Sequence, residues 1–277
     1  DGSIDLTEMV GEVTDRLREE LDYGREAKHM ALYAGMLADK DFVQVPEPVP
    51  ELSTDRLLTM TWLDGERLDA FEGAAQDTRN HIAEMLFWTW WGPFNGHAVI
   101  HGDPHLGNYQ VTGGGTGINL LDFGCIRVFP PTFVEGVVDL YRATLAEDFD
   151  AAYAAYEKWG FQNLSRELVE VLNIWARFIY GPLLDDRVRS VADGVSAGEY
   201  GRKEAFQVRR LLKEKGPVKI PREFVFMDRA AIGLGAAYLR LKAEVNYHRL
   251  FEESLESFDV KSVASRQAAA LAAAGLT

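Results

Sequence analysis

Apolar residues recur at helical spacing along roughly the first forty residues, where Met9, Val13 and Leu17 follow one another at intervals of four. Residues four apart lie on one face of an α-helix, so this stretch is predicted to be helical up to about Lys40. Gly24 interrupts the series, because glycine weakens a helix interior. The pattern therefore predicts one long helix, or two helices that separate near Gly24.

The pattern changes to that of short strands after residue 40. Prolines at positions 46, 48 and 50 do not fit a helix, and runs rich in β-branched and aromatic residues predict strands at residues 43–45 and 57–62. Two further strands are predicted on either side of the glycine-rich turn at residues 113–117, where YQV leads in and INLLDF leads out. The sheet is therefore expected to be small.

The remaining sequence is mainly helical in pattern. A helix is expected to end near Trp91, before Pro93. The apolar run at residues 82–100 approaches the length that spans a bilayer, but Glu84 and the proline favour a buried helix in a soluble core. Nearly every segment after Pro131 has helical periodicity. This order of elements predicts an α+β fold.

Composition narrows the classes of function. The 277 residues carry a net charge of −14, which makes a nucleic-acid partner improbable because phosphate backbones are negatively charged. The lone cysteine, Cys125, cannot form an internal disulfide, and no cysteine and histidine cluster has zinc-site spacing, so a cytoplasmic location is expected. No secretion signal opens the chain, and the missing initiator methionine indicates that it begins partway through a longer protein.

The candidate chemistry lies in HGDPHLGN, which begins at His101, and in LLDFG, which ends at Gly124. The predicted hairpin between them brings Asp103, Asn108 and Asp122 together. Two carboxylates and an amide oxygen are hard ligands that suit Mg²⁺. A carboxylate roughly 4 Å from a phosphate oxygen repels it by about 4 kcal/mol at an effective dielectric near 20, so a phosphate substrate needs that cation.

The spacing H-x-D-x-x-x-x-N, followed by a strand and D-F-G, is typical of the catalytic loop and metal-binding turn of protein kinases. In that pattern Asp103 accepts the proton of a hydroxyl group, while Asn108 and Asp122 bind the magnesium that accompanies ATP. His101 is predicted to be a scaffold residue rather than a base, and Cys125 a small packing residue rather than a reactive thiol.

These motifs, together with ELDYGREA at residues 20–27, resemble the AarF/UbiB-type atypical kinases, which are associated with ubiquinone biosynthesis. The resemblance implies that Glu20 and Asp22 form an E-x-D motif that helps occlude the usual substrate site. It also implies that Glu26 pairs with an ATP-site lysine. Aminoglycoside and choline kinases share the HGD-x-H-x-x-N loop, but they tend to carry a G-D-P segment where this chain has CIRVFPPTFVEG.

The sequence departs from that family in several places. Gly102 stands where alanine is common and Leu106 where proline is common, both of which are expected to be mild changes. Thr61 replaces a glutamate of the hinge strand, which leaves Trp62 and Leu63 as candidates for backbone contacts to adenine. The K-x-G-Q motif and a strand lysine upstream of the αC-like helix are not found.

We therefore expect a protein-kinase-like fold whose upper-lobe sheet is largely missing. Residues 1–64 are predicted to be a partial N-lobe, with an αC-like helix and hinge strands, and residues 65–277 a helical C-lobe. Alone, this chain is expected to be weakly active or inactive. The alternative from another class is a non-catalytic module, peripheral to a membrane, that binds an isoprenoid lipid or a protein through the aromatic helix at residues 87–91.

Overall fold

A computed structural model describes residues 21–192, 199, 201–215 and 221–277. Within these residues the chain forms nine α-helices and six short strands. The helices are α1 (Tyr23–Met36), α2 (Gln76–His97), α3 (Pro131–Leu145), α4 (Phe149–Lys158), α5 (Arg166–Tyr180), α6 (Arg202–Lys215), α7 (Arg222–Leu241), α8 (Tyr247–Leu255) and α9 (Val260–Ala273). The strands are β1 (Val43–Gln44), β2 (Glu66–Arg67), β3 (Val99–His101), β4 (Tyr109–Thr112), β5 (Gly117–Leu120) and β6 (Ile126–Val128).

Helix α1 begins at the break that Gly24 predicted. Asp22 is its N-cap residue, and the Asp22 carboxylate accepts a hydrogen bond from the backbone N–H of Arg25 at 2.9 Å. Such a cap satisfies one of the amide groups that the first helical turn leaves without a partner. The helix buries one face, which includes His29, Met30 and Tyr33. Most of the predicted helix upstream of Gly24 lies outside the described residues.

Two small sheets surround the candidate catalytic residues. The first has the order β1-β5-β4-β2, and its centre is the predicted hairpin, in which Tyr109 pairs with Leu120 and Thr112 with Gly117. The second sheet joins β3 to β6 antiparallel and pairs His101 with Ile126. Because β1 pairs with β5, the first sheet spans both sides of the division predicted at residue 64.

The predicted strand at residues 57–62 is wrong. This segment makes only isolated bridges, one of them between Pro48 and Met60. Val49 donates to the carbonyl of Thr59 at 2.7 Å, and Thr61 donates to that of Glu47 at 2.9 Å. The N–H of Glu47 donates to the side-chain Oγ1 of Thr61 at 2.9 Å rather than to a backbone carbonyl, which interrupts the ladder.

The predicted end of the second helix near Trp91 is also wrong, because α2 continues through Pro93 to His97. Proline removes one helical hydrogen bond, but the following turn is buried, with Phe94 fully inaccessible. The end of the helix is satisfied by α9. Arg266 donates to the carbonyl of Gly96 at 2.9 Å and Gln267 to that of His97 at 3.0 Å. Tertiary contacts therefore offset the cost of the proline.

The helix-dominated α+β fold agrees with the expectation from sequence. Helices α3, α4 and α5 pack against one another through an aromatic core that includes Tyr141, Tyr156 and Trp159. Over the part of the chain that the structure describes, no helix combines the length and the apolar character needed to cross a membrane. The aromatic residues Phe87, Trp90 and Trp91 are instead buried inside the protein.

Candidate active site

A cavity of about 550 Å³ lies where α1, the catalytic loop, the DFG turn and α7 meet. The catalytic loop is the segment from His101 to Asn108, and the DFG turn is the segment from Asp122 to Gly124. Both predicted carboxylates, Asp103 and Asp122, line this cavity. The other residues that line it are Tyr23, Glu26, Met60, Gly102, Gly124, Cys125, Phe226 and Arg229.

Asn108 holds the catalytic aspartate in place. The Asn108 side chain is buried, and its Nδ2 donates both to the backbone carbonyl of Asp103 at 2.9 Å and to Oδ2 of Asp103 at 3.1 Å. Asp103 itself is exposed, and its Oδ1 is not used in this contact. One carboxylate oxygen is therefore fixed by the amide while the other can accept a proton at the cavity.

The DFG turn has an unusual backbone conformation at its aspartate. Asp122 has a φ of 60°, in the left-handed region that non-glycine residues rarely adopt. Its Oδ1 accepts a hydrogen bond from the N–H of Gly124 at 3.1 Å, which orients the carboxylate. Short polar side chains tolerate this region because they can bond locally to the backbone, as Asp122 does here.

His101 links the two aspartates through their backbones. Its Nε2 lies 2.6 Å from the carbonyl oxygen of Asp122, and its Nδ1 lies 3.4 Å from the backbone nitrogen of Asp103. A carbonyl only accepts, so Nε2 carries the proton and Nδ1 receives the N–H of Asp103. Burial lowers the pKa of His101, which favours this neutral ring. The predicted scaffold role therefore has a specific geometry.

Helix α1 supplies two further contacts to the DFG turn. The N–H of Phe123 donates to Oε1 of Glu26 at 3.1 Å, and Nδ1 of His29 lies 3.0 Å from the carbonyl oxygen of Phe123. Burial raises the pKa of Glu26, the Phe123 N–H opposes that rise, and the negative charge of Asp122 adds to it. Glu26 therefore contacts the DFG backbone directly.

The donor set at this cavity fits a magnesium ion. Asp122 lines the cavity with its carboxylate, whereas Asn108 is not among the lining residues; its Nδ2 is used for Asp103, which leaves Oδ1 as the atom that could reach a metal. The Coulombic repulsion between Asp122 and Glu26 is what a bound cation would relieve. No group of three His, Cys, Asp or Glu side chains within the described ranges could hold a metal, so phosphate or water oxygens would have to complete the coordination.

The predicted hinge residues Trp62 and Leu63, and Asp22 of the E-x-D motif, are not among the residues that line this cavity. Trp62 is 83% exposed, and its indole N–H donates to Asp64 at 2.8 Å, while Leu63 is half-buried. Met60, two residues earlier, is the hinge-segment residue that lines the cavity. Asp22 caps α1, and Glu20 lies outside the described residues. The adenine contacts and the occluding role of the E-x-D motif stay predictions.

Reasoning from sequence did not find the contribution of α7. Arg229 and Phe226 reach the cavity from this helix, more than a hundred residues after the DFG turn. The available signal was the segment DRAAIGLGAAYLR, in which small residues alternate with arginines at helical spacing. The pattern predicts only a helix within the C-lobe, because nothing in the sequence places this segment against the catalytic loop.

Gly102 is more constrained than the sequence suggested. Its N–H donates to the carbonyl of Cys125 at 2.8 Å, and a Cβ at this position would lie 2.6 Å from that same carbonyl oxygen. The alanine that is common at this position in the AarF/UbiB-type family would therefore force the two strands β3 and β6 apart at their ends. The expectation of a mild change is wrong for this chain.

Comparison with known proteins identifies the family. The family model described as the ABC1 atypical kinase-like domain matches residues 1–156, more than half of the chain. The chain belongs to this ABC1 atypical kinase-like family. It is 28% identical over 256 residues to the atypical kinase COQ8B, mitochondrial, of Rattus norvegicus, an alignment that covers 92% of this chain and 47% of the relative. The predicted relationship to AarF/UbiB-type kinases is thereby confirmed.

Two further comparisons support the family and the fold. The atypical kinase COQ8, mitochondrial, of Saccharomyces cerevisiae is 28% identical over 156 residues, covering 56% of this chain and 31% of the yeast protein. A solved structure of Rv3197 with erythromycin, from Mycobacterium tuberculosis, aligns with a TM-score of 0.70 at 22% identity, over 93% of this chain and 64% of that one. The chain thus spans less than half the length of these two kinases, and the protein-kinase-like fold is confirmed.

Proposed function

We propose that this ABC1-family chain carries the catalytic centre of an atypical kinase or ATPase that binds ATP with Mg²⁺ in the 550 Å³ cavity. In this proposal Asn108 and Asp122 are the magnesium ligands and Asp103 is the general base. Met60, Trp62 and Leu63 belong to the hinge segment that would adjoin adenine. The names of the relatives support membership of a kinase-like family, and the geometry of the cavity supports the assignment of residues.

The observation that carries the proposal is the single neutral imidazole between the two aspartates. Through its two ring nitrogens, His101 fixes the backbone of Asp103 relative to that of Asp122. Phosphoryl transfer depends mainly on positioning and on charge stabilisation, so a rigid link between base and metal ligand is what the reaction needs. An arrangement that served packing alone would have no reason to leave both carboxylates at one cavity.

The chain's own residues would then act as follows. Asp103 accepts the proton of the attacking hydroxyl or water at Oδ1, while the Asn108 amide holds Oδ2. Glu26 and His29 keep the DFG backbone in place and so hold Asp122 toward the phosphates. A bound Mg²⁺ supplies charge neutralisation to the β- and γ-phosphates.

We propose further that the protein supports ubiquinone or isoprenoid-lipid metabolism, as the resemblance to UbiB-type kinases implies. Below, the parent protein means the protein without any substitution. The relatives named COQ8 and COQ8B favour this assignment over an aminoglycoside or choline kinase. The sequence has no strand lysine before Glu26 and no K-x-G-Q motif, so we expect this chain alone to turn ATP over slowly or not at all. Turnover equal to that of a longer form of the protein would contradict this expectation.

The decisive experiment measures magnesium-dependent ATP binding by calorimetry in the parent protein and in Asp122→Asn. Loss of one ligand charge should weaken binding at least about tenfold. Asp139→Asn is the matched control, because Asp139 is a partly exposed carboxylate that pairs with Lys158 on the helical surface. Equal affinity in the parent protein and in Asp122→Asn would show that the metal site is assigned to the wrong residue.

The alternative function, a non-catalytic module that binds lipid or protein, depended on the aromatic helix at residues 87–91. The structure places Phe87, Trp90 and Trp91 in the core, where they stack on one another and on Phe94. These three side chains therefore form no exposed surface, whereas Trp88 of the same helix is partly buried under Lys40 and lines another cavity, so lipid binding stays the alternative proposal. Co-sedimentation of the protein with anionic liposomes, without any nucleotide dependence, would favour that alternative.

A further inference from the structure

A second cavity, of about 420 Å³, opens on the other side of the catalytic aspartate. One wall is the catalytic loop, including Pro104, His105 and Leu106, and the other wall is helix α7. We call this cavity the loop–α7 groove. It shares Gly102, Asp103 and Arg229 with the proposed nucleotide cavity, so the two spaces meet at the proposed general base. A molecule in the groove could therefore present a group to Asp103 while ATP occupies the first cavity.

The wall formed by α7 carries small residues that let its backbone contact the catalytic loop. Arg229, Gly233, Ala236 and Arg240 lie three or four residues apart, and so share one face of the helix. A Cβ on Gly233 would lie 2.5 Å from Cγ of Pro104, which shows that the helix backbone rests directly on the catalytic loop. The small residues leave an open, uncharged middle section. The arginines stand at its two ends, about 16 Å apart along the helix axis.

The charges at the two ends of the groove have different partners. The Nε of Arg240 donates to Oε1 of Glu72, which orients the guanidinium and leaves its two Nη groups without a hydrogen-bond acceptor among the described residues, and the charge of Arg240 also acts on Asp69. Arg229 is exposed at the junction of the two cavities, and no described residue forms an ion pair with it. The groove therefore has the carboxylate of Asp103 and a cation at one end, and an oriented fork of hydrogen-bond donors at the other.

We propose that the loop–α7 groove binds the phosphoryl acceptor, and that the acceptor is a small molecule with a hydroxyl group at one end and a carboxylate or phosphate at the other. The hydroxyl lies at Asp103 and the anionic group binds the Nη groups of Arg240. This inference rests on the proposed phosphotransferase function and specifies its substrate class. The volume of the groove is in the range of small-molecule sites.

The transfer step balances as follows. The acceptor oxygen gives its proton to Oδ1 of Asp103 and forms a new bond to the γ-phosphorus, while the bond from that phosphorus to the bridging oxygen of ADP breaks. ADP leaves with the electron pair of that bond, and Asp103 later releases the proton to water. Arg229, which borders both cavities, stabilises the charge on the equatorial oxygens of the transferring group.

The test uses three probes of one length, 10-hydroxydecanoate, 10-hydroxydecyl phosphate and 1,10-decanediol, whose extended chains are long enough to approach the separation of the two ends of the groove. Their binding to the parent protein is measured by calorimetry at low ionic strength, with and without Mg²⁺ and a non-hydrolysable ATP analogue. We expect at least one anionic probe to bind about tenfold more tightly than the diol, because a bidentate arginine contact is charge-assisted. Which anion binds distinguishes a carboxylate acceptor from a phosphate acceptor.

Two arginine variants then locate the binding. Arg240→Gln should reduce the affinity of the preferred anion about tenfold. Arg249→Gln should leave that affinity unchanged, because it removes an exposed arginine of α8 that pairs with Asp186, away from the groove.

The outcomes separate this inference from the proposed function. Equal binding of all three probes, no binding of either anion, or equal losses in Arg240→Gln and Arg249→Gln would overturn the groove assignment. If the probes bind as expected without nucleotide but the protein binds no Mg²⁺ and ATP analogue, the anion site stands and the proposed kinase function fails. If the nucleotide binds but the anions do not, only the groove assignment fails.

Discussion

Two partly buried carboxyl groups in this protein have opposite surroundings. Glu26, in α1, meets a backbone N–H of the DFG turn and faces the charge of Asp122, at the edge of the catalytic cavity. Asp228, in α7, lies among the aromatic residues of the helical half, and the indole N–H of Trp175 is its hydrogen-bond donor. Burial raises the pKa of both groups, and it raises that of Asp228 to about 7.

Different interactions stabilise the DFG turn and the helical half of the protein. The backbone of the DFG turn donates one hydrogen bond to Glu26 and accepts one each from His29 and His101. The helical half is held by packing of aromatic rings, and a carboxyl group there is tolerated because it can become neutral. Loss of a polar side chain should therefore destabilise the DFG region, whereas removal of the carboxyl charge should stabilise the helical half.

The largest effect is expected from breaking the DFG region with His101→Ala. The ring is almost fully buried and bonds to Asp122, so its loss leaves a cavity and an unpaired carbonyl that together cost about 3 kcal/mol. His105→Ala is the matched control, because His105 is exposed and only accepts from the N–H of Gly107 nearby. Urea unfolding checks both, and similar losses would contradict the proposed scaffold.

The next effect concerns the helical half and depends on pH. The pKa of Asp228 is about 7 in the folded protein and about 4 when unfolded, so the native state binds the extra proton between those values. Its contribution to stability is therefore lost as the pH rises from about 4 to 7. At pH 8 Asp228→Asn should be more stable than the parent protein by about 1–3 kcal/mol.

The amide of Asp228→Asn can still accept from Trp175, so packing is retained and only the ionisation is removed. Unfolding measured at pH 5 and pH 8 should show that the advantage of the variant shrinks toward the lower pH. Asp139→Asn should show no such pH-dependent gain, because Asp139 pairs with Lys158 at the surface. A constant difference at both pH values would mean that Asp228 is ionised throughout this range.

A somewhat smaller effect tests the contact between the two regions. Gly233→Ala places a methyl group 2.5 Å from the ring of Pro104, so α7 and the catalytic loop must separate, at about 1–2 kcal/mol. Gly92→Ala, in the interior of α2, meets no atom within 4 Å and should stabilise the protein slightly. Thermal unfolding measures both changes. A neutral Gly233→Ala would show that the helix does not rest on the loop.

The smallest effect sharpens the role of Glu26. Glu26→Ala removes the acceptor for the N–H of Phe123 and should weaken magnesium-dependent ATP binding about threefold to tenfold. Glu26→Gln keeps an amide oxygen at the same position, so it should retain most of the affinity. Calorimetric titration distinguishes the two variants. Equal losses would mean that the charge of Glu26, rather than its hydrogen bond to the DFG backbone, supports the site.

Much of the catalytic region could be predicted because its signals are local. The segment from His101 to Asn108 and the D-F-G motif lie on either side of one hairpin, whose turn chemistry and strand pattern are encoded in neighbouring residues. The hairpin pairing of Tyr109 with Leu120 follows from that pattern. The two failed element predictions, at residues 57–62 and beyond Trp91, both depended on partners distant in the sequence, which are the segment around Glu47 in the first case and α9 in the second.

The sequence by itself determined the α+β class, the kinase-type motifs and the candidate metal ligands, because each depends on periodicity or on spacing over short distances. Only the tertiary structure decided that a neutral His101 joins Asp103 to Asp122, that Gly102 must be glycine, and that α7 brings Arg229 beside the catalytic loop. These features depend on contacts between segments that are far apart in the chain. Such contacts form only when the whole core packs, so no local pattern records them.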